Sequence, residues 1–300
     1  MERRQFMINA AKGFVGLSMM SMMPLDVFGQ SKAHVVWVEN GEPELLLKTA
    51  LKDFGGLTRF INKGDVVVIK PNIGWDRRPE QAANTNPDLI KALVKECFDA
   101  GASKVKILDR TCNNPRRCYI NSGIESSAKE VGAEVVHVHD NKYVNIPIKN
   151  GKVLKEWPIY KDYIEADKVI NVPIAKHHSL ARVTLGMKNL MGVMGANRGD
   201  IHSYFDWKLT DIVSEILPTL TIIDAYRILL RNGPSGGSLN DVAVKKTLIM
   251  SDCVVCADVV ALSLFDLNIH DVSHVKTAIE RKMAKYDVDN LVIDKIDLSV

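Results

Sequence analysis

Between Asn171 and Gly195 the chain reads NVPIAKHHSLARVTLGMKNLMGVMG, and this segment concentrates groups able to do chemistry. Lys176, His177, His178, Thr184, Lys188 and Asn189 fall within fourteen residues, with Gly186, Gly192 and Gly195 among or after them. Imidazole titrates near neutral pH and suits a general base or a metal ligand. An amine near a helix start suits a carboxylate or phosphate ligand. His177 and His178 are adjacent, so on a regular element they point in different directions. One of the pair is expected to face a pocket and the other to serve structure. His178 and Lys188 are therefore the first candidates for catalysis, with Thr184 and Asn189 capping or lining the helix that carries Lys188. His202, just after Arg198-Gly-Asp200, is expected to return to the same cleft, and with His178 it is the candidate metal-ligating pair. The Arg-Gly-Asp tripeptide carries no adhesion signal without further context. Met187, Met191 and Met194, at near-helical spacing, read as core packing.

Elements must deliver these groups to one place. The run Lys168-Val-Ile-Asn-Val-Pro173 precedes the segment and reads as a buried strand. Three other apolar runs also end in polar residues: Lys70-Pro71-Asn72, Asp109-Arg110 and Asp224. In a parallel sheet the C-terminal strand ends share one edge, where open α/β sheets bind their ligands. Asp109 thereby joins the catalytic candidates. Lys70, Asn72 and Asp224 join Thr184 and Asn189 as candidate ligand-binding residues.

The remaining pattern supports such a sheet. Strands are expected at 34–38, 65–70, 104–109, 133–138, 168–173, 220–224 and 247–250. Helices are expected at 43–54, 87–100, 122–131, 209–217, 254–267 and 272–285. Asp65-Val-Val-Val-Ile-Lys70 is apolar throughout, as in strands buried on both faces. Asn86-Pro87-Asp88 opens a helix and Gly101 stops it. Asn150-Gly151, between 146–149 and 152–154, reads as the turn of a hairpin. Residues 231–237 read as a flexible loop. The fold class is α/β, a doubly wound, mostly parallel sheet with a small β-hairpin excursion. Residues 34–300 are expected to form a single domain.

Composition bounds the rest. Of 300 residues, 46% are hydrophobic and 25% charged, with net charge +3, which is ordinary for a globular protein. No basic stripe interleaved with aromatics appears, which argues against nucleic acid as a partner. Arg3-Arg4-Gln5-Phe6-Met7 precedes the uncharged apolar run 13–23, too short for a good membrane span. This resembles a twin-arginine export signal. It implies the twin-arginine machinery as a partner, a periplasmic or cell-surface location, and membrane contact only through an uncleaved signal. Residues 1–33 are assigned to that signal. In an exported chain Cys112 and Cys118 are candidates for a disulfide, with a metal or cluster site as the alternative. Cys253-x-x-Cys256 has redox-motif spacing, but its apolar flanks favour a buried helix start, and Cys97 reads as core.

Lys70-Pro71-Asn72, Thr85-x-Pro87, Ala100-Gly101-Ala102, Pro173 to Gly192, and Asp224 followed by Gly233-Pro234 together resemble the domain-of-unknown-function 362 family. The resemblance covers roughly residues 35–267. It departs at Asp252-Cys-Val-Val-Cys-Ala-Asp258, where the family usually shows Asp-Pro-Val-Ala-x-Asp. Some members occur with ferredoxin-like cluster segments, and this chain has none. A more distant likeness is to lactate racemases with a nickel pincer cofactor, echoed by His178 and Lys188. That likeness implies Lys188 as an attachment point and His178 or His202 as base or ligand. The expectation is an exported enzyme whose His/Lys cleft binds a small anionic ligand, a metal ion or a metal-containing cofactor. The alternatives are a non-catalytic periplasmic ligand-binding or carrier protein and, below it, a metal- or iron–sulfur-linked redox protein.

Overall fold

The computed structural model describes residues 34–299, so the export-signal reading of residues 1–33 lies outside the described residues. The chain runs β1 (Val35–Glu39), α1 (Pro43–Asp53), β2 (Val66–Pro71), α2 (Pro87–Asp99), β3 (Lys104–Leu108), α3 (Pro115–Asn121), α4 (Ile124–Glu130) and β4 (Glu134–Val136). It continues through β5 (Tyr143–Pro147), β6 (Glu156–Tyr160), α5 (Lys161–Ile164), β7 (Lys168–Val172), β8 (Ile174–His178), β9 (Arg182–Thr184), α6 (Gly186–Asn189) and α7 (Phe205–Val213). The last elements are β10 (Leu220–Leu229), β11 (Val242–Ser251), α8 (Val254–Ala261), α9 (Ser273–Glu280) and β12 (Ile293–Asp297).

The main sheet has the order β12-β1-β11-β10-β7-β2-β3-β4. From β10 to β4 every pairing is parallel, as is β1 with β12, and β11 runs antiparallel to both its neighbours. β8 extends beside β10 and carries β9 as an antiparallel partner. The apolar runs of the sequence become the central strands because both sheet faces are covered. Val67 and Ile69 of β2 pack with Leu46 and Leu47 of α1 and Leu89 and Leu93 of α2. Val68, between them, packs on the opposite face in the cluster that holds Leu209 of α7 and Val255 of α8. Period-two alternation thus feeds two cores at once. Each fully buried Val, Leu or Ile contributes about 1.5–3 kcal/mol of transfer free energy. At the start of α2 the Asn86 side chain accepts from Asp88 N at 3.0 Å, and Pro87 follows it inside the helix.

Four expectations change. The hairpin is real, but it pairs β5 with β6, Ile146 opposite Trp157, rather than closing on Asn150-Gly151. The backbone N–H groups of Lys152, Val153 and Leu154 instead donate to the buried Asp211 carboxylate, which also pairs with Arg281 at 2.7 Å. The Cys112–Cys118 disulfide does not form. Asn114 caps α3 and turns Cys118 inward toward Gly74 O, while Cys112 stays exposed; all five cysteines are free. Residues 231–237 are held rather than loose: Arg77 Nε donates to Ser235 O at 3.1 Å and Gln81 Nε2 to Gly237 O at 2.8 Å. Finally, the helix expected at 254–267 ends at Ala261, and β12 adds an edge strand not expected from the sequence. Among the described residues no helix is long and apolar enough to cross a membrane.

Candidate functional site

Beyond the C-terminal ends of β2, β3 and β8 lies a cavity of about 340 Å³. Lys70, Asn72, Asp109, His178, Thr184, Lys188, Asn189 and His202 all line it. So do Lys176, Arg110, Cys112 and Arg198. Asp224 does not. β10 continues five residues past it, so Asp224 sits inside a strand and accepts from Asn86 N at 2.7 Å and Tyr226 N at 3.1 Å. Burial pushes its carboxyl up to about 6. It braces the start of α2 behind the cavity wall.

One wall is a polar network without slack. Lys70 Nζ pairs with Asp109 Oδ1 at 2.8 Å, and both side chains are nearly inaccessible. Lys70 Nζ and Asn72 Nδ2 donate to Asn189 Oδ1 at 3.0 and 2.9 Å. Asn189 Nδ2 returns hydrogen bonds to Lys70 O and Asn171 Oδ1. Asp109 Oδ2 accepts from Ile73 N at 2.6 Å, and the Tyr119 hydroxyl clasps the Asp109 main chain. Asp109 is thereby held on all sides. Gly192 closes over this pair: a Cβ there would lie 1.7 Å from Asp109 Oδ1 and 2.5 Å from Lys70 Nζ.

The opposite wall carries the reactive candidates. β8 sets Lys176 against Thr184 of β9. Lys176 Nζ donates to Asn72 Oδ1 at 3.2 Å and to Ala83 O. Burial, countered in part by Cys112 and Asp109, lowers its amine to about 7. Lys188 projects from α6, whose first N–H groups, Gly186 N and Met187 N, donate to the buried Asp258 carboxylate at 2.6 and 2.9 Å. Asp258, in the segment where the family pattern breaks, therefore works as a cap beneath the site. Among the described residues Lys188 Nζ meets the Met191 sulfur at 3.0 Å and the Phe205 ring at 5.4 Å. Burial lowers this amine to about 8.

His178 and His177 divide their roles as adjacent strand residues should. His178 Nδ1 accepts from Leu180 N at 3.1 Å and Ala181 N at 3.3 Å. Burial and then the Lys188 charge lower its pKa to about 3, so the ring is neutral with its proton on Nε2. His177 Nδ1 accepts from Gly233 N at 3.1 Å and clasps the 231–237 loop. A Cβ at Gly233 would lie 1.9 Å from His177 O, which explains the glycine. His202 lies beside His178, ring centroids 6.5 Å apart, and stacks on Phe205.

These residues do not fit a directly ligated metal ion. A His178 ring whose Nδ1 takes backbone hydrogens offers a donor at Nε2, not a lone pair. Among the described residues no group of three His, Cys, Asp or Glu side chains could hold a metal. The metal assignment of His178 and His202 therefore lacks its ligand set.

Three cavity cations, Lys176, Arg110 and Arg198, are not among the site residues the sequence singles out. Arg198 sat in a tripeptide with no meaning by itself; its guanidinium donates to Arg110 O at 2.9 Å and Thr111 O at 2.8 Å. Arg110 donates to Met194 O and Ala196 O. The signal available was the excess of Lys, Arg and His over acids in these same loops.

The profile of the family described as "Domain of unknown function (DUF362)" matches residues 67–263, more than half of the chain, and the chain belongs to that family. Thylakoid-associated protein sll1697 of Synechocystis sp. is 26% identical over 230 residues, spanning 74% of this chain and 70% of that protein. Among solved structures, the lactate racemase apoprotein from Thermoanaerobacterium thermosaccharolyticum aligns with TM-score 0.44 and 14% identity. That alignment covers 73% of this chain and 54% of the racemase. A Thermotoga maritima protein aligns with TM-score 0.48 and 12% identity, covering 75% of this chain and 60% of that one.

Proposed function

For this member of the family we propose an enzyme whose cleft binds a small anionic molecule and whose proton-transfer group is Lys188. The observation that carries the reading is the charge of the lining: among the described residues three lysines and two arginines face one carboxylate, Asp109, already paired to Lys70. A cavity of one sign concentrates ligands of the other. Within it the roles divide by environment. The amine of Lys188, near 8, exchanges a proton close to neutral pH, as a general acid or base requires. His178 acts as a neutral donor from Nε2 to an oxygen of the ligand, and Asp109 positions Lys70 rather than reacting.

A carrier without chemistry is the second reading. It is favoured by the fixed His178 ring, which accepts two backbone hydrogen bonds at Nδ1 and does not titrate near neutrality. Calorimetric titration with small carboxylates and phosphates, followed by turnover assays on those that bind, separates the two. Turnover that Lys188→Met abolishes while the fold and Asn189 network persist supports the enzyme. Binding with no turnover in the wild type supports the carrier, and no anion binding at all removes both. We also propose that residues 1–33 export the chain to the periplasm or cell surface, supported by the twin arginines at Arg3 and Arg4.

A further inference from the structure

The cleft holds more positive charge than its own acids balance, and the surplus has a definite location. Lys70 has its counter-ion in Asp109. Arg110 and Arg198 are partly exposed, so water screens them, and each donates two hydrogen bonds to backbone carbonyls. Lys176 and Lys188 are only 1% and 8% exposed, and neither has an ion-pair partner among the described residues. A buried cation without a counter-charge is costly, and the cost falls when an anion arrives.

We infer that the ligand is a dianion whose two negative charges meet the amines of Lys176 and Lys188. The inference rests on the anion-binding reading above. One negative charge can hold only one of the two buried amines in its charged form, leaving the other neutral or unpaired. They also repel each other, since the charge of Lys188 is among the causes that lower Lys176. The shared chemistry is a pair of negative charges on one small molecule. It is supplied either by a tetrahedral oxyanion, as in a phosphate or sulfate ester, or by a dicarboxylate. His178 Nε2–H and the Thr184 hydroxyl, on the same wall, are neutral donors suited to the remaining oxygens.

A second consequence follows from the same burial. Held at about 7 and about 8, the two amines are partly or largely neutral at pH 8 in the ligand-free protein. A bound dianion favours the charged amines, so binding takes up protons and weakens as pH rises.

The test is calorimetric titration of the full chain with sulfate, malonate and acetate at pH 8, in two buffers of different ionisation enthalpy. Sulfate and malonate are dianions there and acetate is a monoanion. The expected result is that at least one dianion binds roughly tenfold to a hundredfold more tightly than acetate, with a heat that depends on the buffer. Which dianion wins identifies the source of the charge. Lys176→Met and Lys188→Met should each reduce dianion affinity to the level of acetate. Equal affinity for acetate and both dianions, or dianion binding without proton uptake, overturns the inference and leaves anion binding standing. Failure of all three to bind removes both. The wild-type comparison decides the matter even where a variant does not fold.

Discussion

Gly192→Ala tests the architecture of the cleft with a single methyl group. The φ of Gly192 is not positive, so alanine suits its backbone and any cost comes from contact alone. The new Cβ would stand 1.7 Å from Asp109 Oδ1 and 2.5 Å from Lys70 Nζ, well inside van der Waals distance. The segment cannot easily retreat, because Gly192 O accepts from Arg110 N at 2.8 Å. The Lys70–Asp109 pair at 2.8 Å must therefore separate. Breaking a buried pair costs about 3–5 kcal/mol. For a domain of this size each kcal/mol lowers Tm by roughly 2–4 °C, so the fall should be about 6–20 °C. Calorimetric or circular-dichroism melting of the two proteins measures it. The double variant Gly192→Ala with Asp109→Ala should lose less than the two single losses added, because removing the carboxylate makes room for the methyl. A Gly192→Ala Tm within about 2 °C of wild type, or strict additivity in the double variant, would refute the reasoning.

Two further outcomes are expected. Burial sets the amines of Lys176 and Lys188 below their unfolded values, to about 7 and about 8. The stability linked to such groups is present at high pH and is lost as pH falls through the folded values. The ligand-free protein should therefore gain urea resistance between about pH 7 and pH 10, and Lys176→Met should flatten that rise; a steady decline over the same range would contradict it. Replacing Arg3 and Arg4 by lysine should leave the precursor in the cytoplasm, read by cell fractionation, and undiminished export would remove the twin-arginine assignment.

Much of this fold is legible in the chain because the central strands are buried on both faces. Val66 to Ile69 advertises itself as an apolar run too short for a helix. The cleft is legible for a related reason: polar residues at parallel strand ends share one edge, and Lys70, Asn72 and Asp109 do meet there. Asp224 resembles them by that rule but fails it, because the strand runs on through Ala225-Tyr-Arg-Ile-Leu229 and Asp224 is not at its end. β8 was hidden since Lys176, His177 and His178 have the composition of a loop; they form a strand because β10 and β9 supply partners. The tautomer of His178 was beyond reach as well. It depends on the turn that brings Leu180 N and Ala181 N back to Nδ1.

The Asn189 amide has a consequence for how the chain assembles. Its hydrogen bonds to Lys70 and Asn72 span 119 and 117 residues of sequence. Contacts of such range close only after loop entropy has been paid across the whole parallel sheet. The cleft should thus be among the last parts to order, with β2 and β7 already side by side. A ligand that holds Lys176 and Lys188 would then act chiefly as a brake on unfolding, with little effect on the rate of folding.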